Sequence, residues 1–384
     1  MSPPEPEGPA LVLGVIVPCH DEAAVIERKL LNLVLVRWPS SPRPHQIVIV
    51  DDGSTDGTAD RARLLCARLF ARPSATDHLS ASRLADALPV GARVVANAGP
   101  PGKAGAIRSG MAELASQGVD LLVLTDADVI LRPLSLLQIE QAFRSRPELG
   151  LACGRQEFVR DLLGDGSCRG ADGREPVPAA EPYDRWTARV RRRESRKGRL
   201  FSVHGQLLAW RAGLDLAPTP GIAADDLDLM FQARAHGRRV EMLEGPAFLE
   251  VKPRNAEARH EQQLRRARAY VQVVAGRSPP LGASLAERLQ LLGYRRLPLL
   301  LPWLLAPALV ALAALAVITW LVPVEGSLLV LTLRWLLPAL VLALLATLAS
   351  PTGRHVRELL AVIRRAQAAE RASPIADRWE RVGR

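Results

Sequence analysis

Two acidic segments of this 384-residue chain each follow directly after a short apolar run. Asp51 and Asp52 end one β-branched run, and Asp126 and Asp128 end another. Each run is too short for a helix and is predicted to be a buried parallel strand. Side chains at the carboxyl ends of such strands line the crevice in which open α/β sheets bind ligands. These carboxylates are therefore expected to face a ligand, although Asp-Gly-Ser-Thr-Asp is also typical of a solvated turn that caps a helix.

The spacing of Asp126 and Asp128 is that of two metal ligands. Side chains two residues apart in a strand point the same way, so both carboxylates could bind one cation. Mg²⁺ typically takes one or two protein carboxylates and completes its shell with water and substrate phosphates. The pair therefore predicts a Mg²⁺ or Mn²⁺ site with a diphosphate partner.

With three further motifs, these segments resemble the family 2 glycosyltransferases, which have the nucleotide-sugar-binding fold called GT-A. Val15–Glu22 is similar to that family's opening strand and Pro-x-x-Asn-Glu turn. Asn97–Gly110 is similar to the segment whose lysine lies near the diphosphate, and Ala224–Leu229 to the helix start that supplies the catalytic base. The resemblance covers about residues 11–270, and the ordered set is specific where one motif alone would be weak.

The resemblance implies a role for each matching residue. Asp226 matches the catalytic base, and Asp225 stands where the family more often has Glu. Lys103 is expected near the diphosphate, because the surrounding glycines allow close backbone approach. The other expected donor-binding residues are Pro18, Glu22, Asp51 and Asp52 for the base and ribose, Asp126 for the metal and diphosphate, and Arg266 for the diphosphate.

The acceptor side is less defined. Ser202–Arg211 resembles the stretch that shapes the acceptor pocket, with Gly205 allowing close approach and Trp210 and Arg211 near the pocket's edge. The basic run Arg189–Arg199 is compatible with an acceptor phosphate, with anionic lipid or with a solvated helix face.

One departure from the family concerns processivity. Many processive members have a Gln-x-x-Arg-Trp segment whose Trp contacts the growing sugar chain. Here the segment begins at Gln263, keeps Arg266 and has Ala267 at the Trp position. Addition of one sugar or a few is therefore expected.

Composition narrows the class of partner. The net charge of +10 could indicate nucleic acid, but only 4% of residues are aromatic and no base-reading module is recognisable. A phosphate-rich membrane surface fits better, and no nucleic-acid partner is expected. The four cysteines lack the paired spacing of a zinc or redox site and are expected to be reduced thiols.

Two apolar stretches predict transmembrane helices, Leu297–Val324 and Ser327–Leu348. Each is long enough to cross the roughly 30 Å hydrocarbon layer. Arginines flank the pair while its connector has none, so the positive-inside rule puts both ends in the cytoplasm. Arg334 within the second stretch could snorkel to headgroups or face an acceptor phosphate.

The expected fold is an α/β GT-A domain with a mostly parallel sheet, followed by two transmembrane helices. The expected segments are a disordered tail (1–10), the catalytic domain (11–280, with a flexible loop at 160–183), an interfacial helix (281–296), the membrane hairpin (297–350) and a basic cytoplasmic tail (351–384).

The expected activity is metal-dependent, inverting transfer of a sugar at the cytoplasmic face of the inner membrane, in cell-envelope biosynthesis. The donor would be a nucleoside diphosphate sugar, with a UDP-sugar expected, and the acceptor a lipid or lipid-linked molecule. Two alternatives remain open: the catalytic subunit of a processive polysaccharide synthase, and an inert nucleotide-sugar-binding scaffold.

Overall fold

The computed structural model describes residues 9–70, 90–169, 173–179, 182–252, 256–276, 284–321 and 328–375. Most of the expected disordered tail and the connector Glu325–Gly326 lie outside these residues. The chain falls into two compact units that divide between Ala256 and Glu257, the second being Glu257–Ile375.

The first unit is built on an eight-stranded sheet in the order β3-β2-β1-β4-β7-β6-β8-β5. The pairs β1–β2, β1–β4, β2–β3 and β6–β8 are parallel, which confirms the expected α/β fold with a mostly parallel sheet. The strands are β1 Leu13–Cys19, β2 His45–Asp51, β3 Val90–Ala96, β4 Leu121–Thr125, β5 Ile130–Leu131, β6 Leu149–Val159, β7 Leu207–Arg211 and β8 Arg239–Val251.

Helices cover this sheet, and the central strands are buried because their residues are apolar on both faces. In β1 every residue from Leu13 to Cys19 is buried. The helices are α1 Ile26–Leu35, α2 Thr58–Leu69, α3 Lys103–Ala115, α4 Ser135–Ser145, α5 Pro182–Arg196 and α6 Asp225–Ala235, with a 3₁₀ turn at Ala212–Leu214.

The segment expected to be a flexible loop has specific contacts where it is described. Leu162 and Cys168 pack in a small apolar cluster with Ile130, Val159 and Leu249. The cluster places the segment beside the short strand β5, and its last residues belong to α5.

The second unit contains α7 Ala256–Gly276, α8 Leu285–Leu321, α9 Leu328–Ala349 and α10 Pro351–Ala372. By length and composition, α8 and α9 are each able to cross a membrane. The expected interfacial helix is not a separate element, because α8 runs without interruption through both segments and contains Pro298, Pro302 and Pro307. The expected tail begins as the regular helix α10.

Hydrogen bonds join the helices of the second unit. Gln367 of α10 accepts from Trp303 Nε1 (2.7 Å) and donates to the carbonyl of Leu299 (2.9 Å), both in α8. Between the two apolar helices, Arg334 of α9 donates to the carbonyls of Thr319 (3.1 Å) and Trp320 (3.3 Å). Arg334 thus binds the C-terminal end of α8, where the helix dipole favours a cation.

Candidate functional site

The carboxyl ends of β1, β2 and β4 lie side by side, because β1 pairs in parallel with both neighbours. Cys19 is in register with Asp51, so the turns that follow the two strands are adjacent. Hydrogen bonds connect these turns: Asp21 N donates to Ser54 Oγ (2.9 Å), and Glu22 N donates to Thr58 Oγ1 (2.7 Å). This edge of the sheet is the predicted ligand crevice.

Asp52 holds the glycine-rich segment against the sheet edge. One carboxylate oxygen accepts from Asn97 Nδ2 (2.5 Å) and the other from the backbone N–H of Gly102 (2.6 Å). A Cβ at Gly105 would lie 1.8 Å from the Pro100 carbonyl oxygen, so only glycine allows the segment to fold back here. Asp52 was expected to contact the donor, but in these contacts its carboxylate positions the loop that leads to α3.

Asp51 has one carboxylate oxygen that lacks a hydrogen-bond donor among the described residues. Its Oδ2 accepts weakly from Ser54 N at 3.4 Å. Its Oδ1 is buried and has no hydrogen-bond partner in the described part of the chain. A buried acceptor without a donor is unfavourable, and a ligand hydroxyl or amino group would satisfy it.

Lys103, the first residue of α3, joins two acidic segments. Its Nζ lies 2.8 Å from Asp126 Oδ1 and 3.7 Å from Asp225 Oδ2. Burial disfavours the charged ammonium of Lys103. The attraction of Asp126 and Asp225 outweighs this effect and raises the pKa of Lys103. Burial raises the pKa of Asp225, against the effect of Lys103. The lysine is therefore a fixed cation at the crevice.

Asp126 and Asp128 lie in the turn after β4, which ends at Thr125. The strand alternation assumed for this pair therefore does not apply as stated, because both residues lie beyond the last strand residue. Both residues are partly exposed, whereas Ala127 between them is buried. Within the described residues no group of three or more His, Cys, Asp or Glu side chains could hold a metal. Two carboxylates suit Mg²⁺ or Mn²⁺ if water and phosphate complete the shell.

A buried lysine that the sequence analysis missed lies behind this turn. Lys29 of α1 is fully buried and donates to Thr125 Oγ1 (2.6 Å) and to the carbonyl of Val129 (3.2 Å). Burial lowers the pKa of Lys29 to about 7, and Asp126 and Asp128 act in the opposite direction. The available signal was Lys29 itself, a cation on the apolar face that Ile26, Leu30 and Leu33 form.

The acidic start of α6 contains three aspartates in different surroundings. Asp228 is fully buried and accepts from Thr219 N (2.8 Å) and Gln232 Nε2 (2.9 Å), so its role is structural. Asp225 is buried and faces Lys103, while Ala224 is the N-cap. Asp226 alone among the three is partly exposed. A Cβ at Gly205 would lie 3.3 Å from Asp226 Cβ, so the two segments approach closely there.

Other predicted residues lie outside this cluster. Pro18 is buried within β1, and Arg266 belongs to α7 in the second unit. Trp210 is fully buried in β7, and Arg211 donates to the carbonyls of Leu149, Phe143 and Arg146. The expectation that Trp210 and Arg211 border an acceptor pocket is therefore wrong. The Trp210 side chain is packed in the core, and the Arg211 guanidinium is hydrogen-bonded to backbone carbonyls.

Comparison with known proteins gives consistent matches. The family model described as Glycosyltransferase like family 2 matches residues 9–269. The mannosyltransferase PcManGT from Pyrobaculum calidifontis, in complex with GDP-Man and Mn²⁺, is 21% identical, with 96% of this chain and 90% of that chain covered and a TM-score of 0.60. This similarity shows a shared fold.

Two further solved structures are similar at lower TM-scores. S. aureus TarS 1-349, in complex with UDP-GlcNAc, is 16% identical, with 97% of this chain and 93% of that chain covered and a TM-score of 0.45. Glucosyl-3-phosphoglycerate synthase from Mycobacterium tuberculosis, with Mn²⁺ and UDP, is 17% identical, with 71% and 82% covered and a TM-score of 0.41. A search of curated proteins finds no match.

Proposed function

We propose that this chain, which belongs to glycosyltransferase family 2, transfers a sugar from a nucleoside diphosphate sugar to a lipid or lipid-linked acceptor and inverts the anomeric carbon. One observation carries the proposal: Lys103 forms ion pairs with Asp126 and Asp225, and Asp225 directly precedes the partly exposed Asp226 in the sequence. A cation for a diphosphate and a carboxylate for an acceptor hydroxyl are the two groups that such a transfer needs.

The donor would bind along the sheet edge. Lys103, kept protonated by its two carboxylates, would offer positive charge to the diphosphate. Asp51 Oδ1 would accept a hydrogen bond from the base or ribose, and Pro18 and Glu22 are proposed to line the same pocket. A Mg²⁺ or Mn²⁺ ion held by Asp126 and Asp128 would supply Lewis-acid stabilisation of the diphosphate oxygens.

The transfer is one displacement. The acceptor's hydroxyl oxygen attacks the anomeric carbon from the face opposite the diphosphate. The carbon–oxygen bond to the diphosphate breaks, and its electron pair leaves with the nucleoside diphosphate. The hydroxyl proton passes to Asp226, whose place in the first turn of α6 favours the ionised form that a base needs.

The proposed location is the cytoplasmic face of the inner membrane. The proposal is supported by α8 and α9, whose exposed surfaces are largely apolar. Arg295 and Arg296 precede the apolar part of α8, and Arg354 and Arg357 follow α9. These charges favour cytoplasmic ends and an external connector.

Two rival functions are distinguished by particular residues. Ala267 lacks the ring that stacks on a growing chain, which supports single or few additions over a processive synthase. Arg266 is proposed to reach the diphosphate. The joint presence of Asp126, Asp128 and Asp226 argues for an enzyme over an inert scaffold.

A donor panel tests this function. Full-length protein in lipid membranes is incubated with radiolabelled UDP-sugars and, because the mannosyltransferase neighbour holds GDP-Man, with GDP-mannose. Label in the lipid extract, absent with Asp226→Asn, is the expected result. Label in polymer alone would identify a synthase, and donor binding without transfer by any donor would identify a scaffold.

A cysteine at Gly326, which lies outside the described residues, tests the topology separately. All four native cysteines are buried, so their background labelling should be low. Labelling by an impermeant reagent from outside intact cells is expected. Labelling only after the cells are opened would reverse the proposed orientation.

A further inference from the structure

Helix α5 places most of its positive charge on one exposed face. Arg185, Arg189, Arg192, Arg193 and Arg196 are all exposed, and their spacing of three and four residues aligns them along the helix. Lys197 follows at the end of the helix and is also exposed. From Arg185 to Arg196 the row extends about 17 Å. We call Arg185–Lys197 with its six exposed cations the arginine face.

The opposite side of α5 is firmly attached to the first unit. Ser195 Oγ donates to the carbonyl of Met242 (2.9 Å), and Arg191 donates to Ser202 Oγ (3.2 Å). Lys252 forms an ion pair with Asp184 at 3.0 Å. The orientation of the arginine face is therefore set by contacts to β8 and to the segment before β7, and the exposed cations are not needed for it.

Carboxylates of the first unit do little to neutralise the arginine face. Within the described residues its one ion pair joins Arg192 to the exposed Glu244 at 4.0 Å. Cations one helical turn apart lie within the Debye length of about 10 Å and repel one another. An extended anionic partner would relieve this repulsion.

An exposed aromatic ring on the same helix points to the kind of partner. Trp186 is 58% exposed and adjoins the first arginine of the row. Indole rings favour the headgroup level of a bilayer, and rows of arginine bind anionic headgroups. We infer that the arginine face of α5 docks on the anionic surface of the bilayer. This inference rests on the proposed membrane attachment, but does not depend on which sugar is transferred.

Docking can be measured with a fluorophore on the helix. Lys197→Cys is labelled in the full-length protein, where the native cysteines are buried, and the protein is placed in nanodiscs. One set of discs is phosphatidylcholine alone and the other contains phosphatidylserine. Headgroup spin labels should quench the probe in the anionic discs at 0.1 M salt, and much less in the neutral discs or at 1 M salt.

Charge variants separate the arginine face from total charge. Arg189→Gln with Arg193→Gln should weaken docking about 25-fold, since each arginine contributes about fivefold. Arg63→Gln with Arg68→Gln on α2 removes the same charge from exposed positions and should leave quenching unchanged.

Four outcomes would overturn the inference. Equal quenching in neutral and anionic discs, or equal loss with both double variants, would overturn it. An absence of quenching in the anionic discs, together with binding of a soluble acidic polymer to the labelled helix, would also overturn it and identify a polymer-binding face. If the chain does not enter nanodiscs, the transmembrane assignment fails. Sedimentation with anionic vesicles then tests the docking of α5. A protein that does not sediment with these vesicles would contradict the inference.

Discussion

The ammonium of Lys103 lies 2.8 Å from a carboxylate oxygen of Asp126. The contact joins the first turn of α3 to the turn after β4, which places a half-buried cation beside the proposed metal ligands. Each group therefore fixes the position of the other before a donor arrives.

Lys103→Met should weaken donor use. Loss of a charged hydrogen-bonding partner costs about 1.5–3 kcal/mol, so KM for the donor should rise about 10- to 100-fold. Steady-state kinetics across donor concentrations measure this change. Arg68→Met is the control, because that cation is exposed on α2 and belongs to no proposed site, and an equal change in both variants would reject a role specific to Lys103.

Asp226→Asn should reduce kcat while donor affinity is kept. Removing a general base typically costs about 100- to 10,000-fold, and the amide retains the shape of the side chain. Single-turnover rates and donor titration measure the two effects separately. Asp215→Asn is the matched control, because Asp215 is exposed. Normal turnover by Asp226→Asn would exclude Asp226 as the base.

Gly205→Ala should slow transfer by displacing Asp226. The new Cβ would lie 3.3 Å from Asp226 Cβ, a contact that requires the carboxylate to move slightly. Because a 1 Å misplacement can cost about 100-fold, we expect roughly a tenfold fall in kcat with little change in Tm. Gly213→Ala adds a methyl group where nothing lies within 4 Å and should be neutral. Equal rates for both variants would contradict the assigned contact.

Asp128→Ala should remove Mn²⁺ binding and activity together. With one carboxylate left at this turn, the cation loses half of its proposed protein ligands. Titration of Mn²⁺ by electron paramagnetic resonance, in the presence of donor, measures the loss independently of turnover. Asp165→Ala in the exposed loop is the control, and full activity of the native protein in excess chelator would count against a metal role.

His45 should make stability depend on pH. It is buried, accepts from Leu13 N at Nδ1 (3.0 Å) and contacts the Pro39 carbonyl through Nε2 (2.8 Å). Burial lowers the pKa of His45 below its ordinary 6.5, with the hydrogen bond to Pro39 opposing it. The unfolded chain then binds more protons near and below pH 6.5, so stability is greatest above that pH and falls on acidification. Melting curves from pH 7.5 to 5.0 should show a smaller decline in His45→Asn, whereas the exposed His236→Asn should follow the wild type.

The sheet and its acidic edge could be predicted because the information is local. Runs such as Leu13–Cys19 identify the strands, and Asp51 and Asp126 stand where those runs end. The roles of Asp52 and Lys29 could not be predicted, since each depends on partners distant in sequence: Asn97 for one, Thr125 for the other. A single sequence does not record which loop folds onto a carboxylate.

The two apolar helices show a similar division between what the sequence predicts and what it does not. Length and apolar composition were enough to predict two spanning helices, and α8 and α9 match them. The continuity of the expected interfacial helix with the first apolar stretch was not predictable, because three prolines within α8 do not interrupt the helix. The partner of Arg334 was also unpredictable, since neither proposed environment was the backbone of the preceding helix.

The bond between Arg334 and the Thr319 and Trp320 carbonyls has a consequence for biosynthesis. An arginine entering hydrocarbon alone is costly, and this one finds its acceptors on a helix translated earlier. In the proposed membrane location, the second helix would therefore leave the translocon paired with the first, so that both enter lipid together.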